Sequence, residues 1–162
     1  IPYTMLRLPP VLGEKDTALT PVICRRIEGI EGEGLFLGSR EPKLISLLSV
    51  YELPRYIEQV IKADPQNGAF NCASHHIPWP DLLRMYLRAL DREGAEPVLK
   101  SKLSFLFHLR DKEYLMHAMF SAFGSHFPTD NLGRIISLDP RGSLEEAVRT
   151  AVEGYKQNGR IK

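Results

Sequence analysis

The side chains able to do chemistry are few and scattered. His75 and His76 are adjacent; on a strand, neighbours project to opposite faces, so the pair cannot chelate one metal, and no third ligand follows at a metal spacing. His108 and His117 fall in an apolar stretch and read as core or rim histidines ahead of an acid–base role. Glu31 and Glu33 sit between glycines, which is the composition of a solvated turn. Cys24 stands beside Arg25 and Arg26, which would lower a thiol pKa if they faced it. On a helix, however, adjacent positions diverge by about a quarter turn, which favours a quiet core thiol. Cys24 and Cys72 match no Cys-x-x-Cys or metal spacing and read as buried residues of a reducing compartment. No glycine-rich phosphate loop follows a strand, and there is neither a P-loop nor a nucleophile elbow. By themselves these residues specify no reaction.

The elements that would carry them are easier to read. Tyr3 to Leu8 alternates and is rich in strand formers, and Pro9-Pro10 stops it. Asp16 or Thr17 can cap a helix to about Glu28, with Leu19, Ile23 and Ile27 at four-residue spacing. Gly29 to Gly34 is a turn, and Leu35-Phe36-Leu37 a short strand. Leu44 to Val50 is a second apolar run, too short for a helix, and predicts a buried strand. Pro54 opens a helix whose stripe is Ile57, Val60 and Ile61. After the turn at 64–68, Ala69 to Ala73 predicts a strand, and Pro80-Asp81 starts a helix to about Arg92. Leu103 to Phe123 is apolar but broken by Arg110-Asp111-Lys112-Glu113; a membrane span needs ~20 mostly apolar residues, so one or two amphipathic helices are expected. Thr129 to Asn131 can cap a short helix ending near Asp139-Pro140, and Ser143 with Glu146 is a capping-box pattern for the last helix.

The 162 residues, 43% hydrophobic with net charge +1, suffice for one domain with a real core and offer no electrostatic footprint for nucleic acid or an anionic membrane. Ile1-Pro2-Tyr3-Thr4-Met5-Leu6 carries no initiator Met and no signal-peptide pattern and reads as a strand already under way, so the chain is expected to be a fragment.

Four segments in order resemble the extended short-chain dehydrogenase/reductases. Tyr3 to Gly13 resembles the strand and loop after that family's catalytic Tyr-x-x-x-Lys helix. Ile45 to Ile57 is similar to its apolar strand and following helix, with Tyr51-Glu52 where Asp-Asp is usual. Phe70-Asn71-Cys72-Ala73-Ser74 resembles its Tyr-Asn-x-(Ala/Gly)-Ser strand. Asp130-Asn131, Leu138-Asp139-Pro140, Ser143 to Val148 and Tyr155 to Gly159 resemble its closing helices.

The resemblance implies an α/β fold: the last strand of a Rossmann-type parallel sheet (residues 1–13, the rest of the dinucleotide-binding domain absent) plus a small α/β substrate-binding domain (14–162). It implies NAD or NADP as cofactor, held mainly by a missing N-terminal half that would also carry the catalytic Tyr and Lys. It sets Leu8, Pro9, Pro10 and Val11 against the nicotinamide end, where prolines stiffen a loop whose backbone bonds the carboxamide; otherwise Pro9-Pro10 merely ends a strand. Leu12, Gly13, Leu35, Phe36, Leu37, Ile45 and Leu47 are expected to face a small-molecule substrate. No metal site, nucleic-acid partner or transmembrane segment is expected; a homodimer and a cytoplasmic location are. Sugar-nucleotide members keep a phosphate-gripping arginine where Ile45 stands, with Arg40 and Lys43 as possible stand-ins. With the aromatic stretch after Leu103, that favours a hydrophobic alcohol or ketone. The alternatives are a nucleotide-sugar epimerase or dehydratase, and a non-catalytic binding or scaffold protein.

Overall fold

The computed structural model describes residues 2–28, 43–92 and 125–158, together with the backbone of 35–37 and 97–99. The order is β1 (Thr4–Arg7), β2 (Val11–Leu12), α1 (Leu19–Glu28), β3 (Leu35–Leu37), β4 (Leu44–Ser49), α2 (Leu53–Lys62), β5 (Gly68–Asn71), β6 (His75–Pro78), α3 (Trp79–Ala89), β7 (Pro97–Leu99), α4 (Asp130–Gly133) and α5 (Leu144–Asn158). This is the expected α/β alternation. The glycine turn at 29–34 and the stretch from Leu103 to Phe123 lie outside the described residues.

Among the described residues three small sheets form. β1 and β5 run parallel, with Leu6 opposite Phe70 and Arg7 opposite Asn71. β4 is central to the second, parallel to β2 and antiparallel to β6. β3 and β7 make a parallel pair. Among the described residues β1 has a partner on one side only. Its alternation puts Tyr3 and Met5 outward at 54% and 55% exposure, while Leu6 packs inward.

β4 is mostly apolar, with Ser46 and Ser49 its polar residues, because both of its faces are covered. Ile45 and Leu47 point into a first core with Leu12, roofed by Ile23 of α1, Leu83 and Tyr86 of α3, and Val148 of α5. Leu48 points the other way, into a second core with Tyr56 of α2, Cys72, Leu132 and Ile136. The ends of the expected run, Leu44 and Val50, are exposed, and the strand itself stops at Ser49.

Asp16 caps α1 as expected: its carboxylate accepts the N–H groups of Ala18, Leu19 and Thr20 and the Thr20 hydroxyl. That hydroxyl also meets the buried Tyr86 hydroxyl at 2.7 Å, tying the cap to α3. The expected helix after Thr129 is a single turn; it stops at Gly133, and Thr129 makes no side-chain cap. The chain beyond it is held by side chains of α2 instead. Gln59 both donates to the Ser137 carbonyl and accepts from its N–H, and the Tyr56 hydroxyl donates to the Leu138 carbonyl. Backbone groups satisfied in this way have no need of a helix.

Candidate functional site

The prolyl loop spans the seam between the first two sheets. The Arg7 carbonyl accepts from Cys72 N (2.9 Å), the Pro10 carbonyl from Leu48 N (3.1 Å) and the Leu12 carbonyl from Val50 N (2.9 Å). The loop is therefore fixed at both ends, while Leu8 is 45% exposed on it. Pro9 is buried, and Pro10 and Val11 are partly buried, Val11 against the second core. Gly13 is buried where the chain turns; a Cβ there would stand 2.5 Å from Val50 Cγ1, so only glycine lets turn and strand approach this closely. Leu12, Ile45 and Leu47 are fully buried in the first core. They build the floor on which the loop rests. Leu35, Phe36 and Leu37 form β3 as expected, paired with β7; their side chains lie outside the described ones.

Two polar groups beside this loop escaped the sequence reading. The first is Glu52, only 2% exposed. It stands at the start of α2 without capping it; its carboxylate turns to the segment before α5. Oε1 accepts from Arg141 N (2.6 Å) and Gly142 N (2.8 Å), and Oε2 from Arg55 Nε (3.0 Å) and Nη2 (2.7 Å). Arg55 Nη2 also donates to the Asp139 carbonyl. Burial alone would raise the Glu52 carboxyl; the Gly142 N–H, the Arg55 guanidinium and the Arg141 N–H outweigh it and hold the group below the usual carboxylate range. The altered Tyr51-Glu52 pair was the available signal.

The second group surrounds Ser46, the one polar side chain inside the buried part of β4 before Ser49. Its Oγ lies 2.8 Å from Nδ1 of His76, its partner across the β4–β6 pair. His75 contacts the Ser74 hydroxyl instead, at 2.8 Å. The two histidines thus serve different neighbours, as their alternation requires. Burial pushes both below the ordinary histidine value; Glu52 acts the other way on His75, and His126 adds to the lowering at His76. Among the described residues no three His, Cys, Asp or Glu side chains converge as a metal site. Burial pushes the Cys24 thiol up to about 12, helped by Glu28, and Cys72 up to about 11, so both stay protonated. No described helix is long and apolar enough to cross a membrane.

No protein-family model and no curated protein matches the chain by sequence. Its architecture does match solved structures. WbmH of Bordetella bronchiseptica, determined with NAD+, superposes with a TM-score of 0.67 at 16% identity over 98% of this chain and 46% of that one. A nucleoside-diphosphate-sugar epimerase of Pseudomonas aeruginosa gives 0.69 at 14% identity, over 98% and 49%. The chain shares the α/β fold of the matched half of these solved structures. A UDP-N-acetylglucosamine 4-epimerase of Methanobrevibacter ruminantium, in complex with UDP-N-acetylmuramic acid, shares this fold at a TM-score of 0.62 and 17% identity, over 97% and 47%. The chain spans about half the length of each of these enzymes.

Proposed function

We propose that this chain is the substrate-binding half of an NAD(P)-dependent enzyme of the epimerase/dehydratase kind, acting on a carbon–oxygen centre of a nucleotide sugar. One observation carries the reading. Nearly the whole chain takes up the fold of about half of enzymes solved with NAD+, NADPH or UDP-sugar ligands. A nucleotide sugar replaces the hydrophobic alcohol or ketone expected from the sequence. Ile45, the residue that favoured an apolar ligand, is fully buried in the first core and speaks for neither substrate class. The other support, the stretch after Leu103, lies outside the described residues.

The fixed loop suits a place beside the dinucleotide. Exposed Leu8 and partly buried Pro10 present a largely apolar surface to the nicotinamide end, stiffened by buried Pro9 and held at Cys72 and Leu48 so that it need not be ordered on binding. When bound, the cofactor supplies hydride transfer. The chain's own part is to hold and orient substrate through the backbone around Leu12 and Gly13 and the strand Leu35 to Leu37, with Ile45 and Leu47 buried in the core beneath the loop. With no glycine-rich phosphate loop in the chain, most dinucleotide contacts and the proton-transferring Tyr and Lys fall to a second, N-terminal half.

The test is an assay of the full-length protein carrying this chain. Incubated with NAD+ and a panel of UDP- and dTDP-sugars, it is expected to give an epimer or a 4-keto sugar. Turnover confined to hydrophobic alcohols and ketones overturns the substrate class; absence of any dinucleotide binding overturns the enzyme in favour of a binding module.

A further inference from the structure

Residues 125–129 run along β4 as a short strap. Ser125 bridges to Ile45 in parallel fashion: its N–H donates to the Leu44 carbonyl (3.1 Å), and its own carbonyl accepts from Ser46 N (3.0 Å). Phe127 N donates to Ser46 Oγ (2.8 Å), and the Pro128 carbonyl accepts from Asn71 Nδ2 (3.0 Å). The His76 ring bears on the rest. Nδ1 meets Ser46 Oγ, Nε2 lies 3.4 Å from Thr129 Oγ1, and the His126 ring stands edge-on with its centroid 5.0 Å away.

The arrangement that gives every donor an acceptor orders the protons. Phe127 N–H can only donate, so it occupies one of the two lone pairs of Ser46 Oγ, and the buried Ser46 hydroxyl proton finds its acceptor when it points to His76 Nδ1. Nδ1 is then bare and Nε2 carries the hydrogen, aimed at Thr129. The chain Phe127, Ser46, His76, Thr129 runs in one direction. A proton added at Nδ1 reverses its middle link: two donors then converge on Ser46 Oγ, and the hydroxyl hydrogen of a fully buried serine loses its acceptor. The same proton sets a positive charge against the edge of His126.

We propose that His76 is a pH-operated latch: neutral, it clasps the strap 125–129 to the β4–β6 pair; protonated, it lets the strap go. This goes beyond the function proposed above and does not depend on it. Among the described residues the titratable groups around His76 are His126 and Asp130 from the strap side and His75 beside it on β6. Burial and His126 disfavour the cation, and Asp130 opposes them more weakly. The clasped state therefore binds its proton less readily than the released one. The latch is complete above the ordinary histidine value of ~6.5 and is lost as pH falls below it. The strap shares its strand edge with the prolyl loop, since Ser46, Leu48 and Val50 N–H donate in turn to Ser125, Pro10 and Leu12. Its release uncovers β4 beside the loop proposed to face the cofactor.

Nitrogen-15 NMR on the full chain reads both the His76 tautomer and the exchange protection of the Ser125 and Phe127 amides. The expected result is hydrogen on Nε2 at neutral pH and a titration below the ordinary value. Phe127 protection, corrected for intrinsic exchange, then falls about tenfold per pH unit through that window, as one linked proton requires. Amides inside α5 should not follow. His76→Gln, neutral at every pH with an oxygen to accept from Ser46, removes the dependence. Should that variant not fold, His126→Gln at an exposed position shrinks the change by removing the like charge. A hydrogen on Nδ1 at neutral pH, or Phe127 protection unchanged while His76 titrates, overturns the latch.

Discussion

The carbonyl group of Glu14 stands where a side chain on Gly154 would have to be. A Cβ built on Gly154 would lie 2.8 Å from the Glu14 carbonyl carbon, so α5 meets the turn after β2 backbone to backbone. Gly154→Ala is expected to destabilise the chain by about 2–3 kcal/mol, since rigid backbone and not a yielding side chain is displaced. Gly133→Ala is the control: its Cβ would meet only Leu138 Cδ1 at 3.9 Å. Urea denaturation with comparable slopes for both variants checks the difference.

Glu52→Ala should cost about 2–3 kcal/mol, because it strands two backbone N–H groups and the Arg55 guanidinium. Arg55 is partly exposed, which keeps the loss below that of a fully buried pair. The Glu52 pKa is lower folded than unfolded. Its contribution is therefore whole above the ordinary carboxylate value of ~4.3 and disappears as pH falls through the folded value. Glu52→Gln should flatten this acid limb, a comparison that denaturation midpoints measured across pH provide.

Asp16→Ala removes the acceptor for three backbone N–H groups and the Thr20 hydroxyl, with an expected loss of about 1–2 kcal/mol. Tyr86→Phe breaks the next link of the same chain, Thr20 to Tyr86. In a double-mutant cycle the two should be non-additive by at least about 0.5 kcal/mol. Strict additivity would mean that cap and core are independent.

Titrated alone with NADH or NADPH, the chain should show no micromolar binding, because no glycine-rich phosphate loop is present to hold the pyrophosphate. A tight complex in a calorimeter would contradict the division of labour proposed between the two halves.

Local chemistry was legible from the residues alone. Asp16 or Thr17 marked a helix start, Pro54 sat in a first turn, and the apolar run at Leu44, too short for a helix, read as a buried strand. The resemblance through Tyr3 to Gly13 and Phe70 to Ser74 anticipated the α/β fold that the solved structures share. Periodicity says which residues share a face, yet not what covers it. Ile45 and Leu47 therefore read as substrate-facing although three helices bury them, and Ser46 between them went unremarked until β6 came up beside it. β6 itself, His75 to Pro78, has no alternation to reveal it; it exists because β4, some thirty positions earlier, offers a free edge. The turn at Gly133 ends early for a similar reason, since Gln59 and Tyr56 satisfy the backbone that a longer helix would have satisfied for itself. Such pairings join residues 30 to 90 positions apart, as Ser46 with His76 and Glu52 with Gly142 show, and only the folded chain decides them.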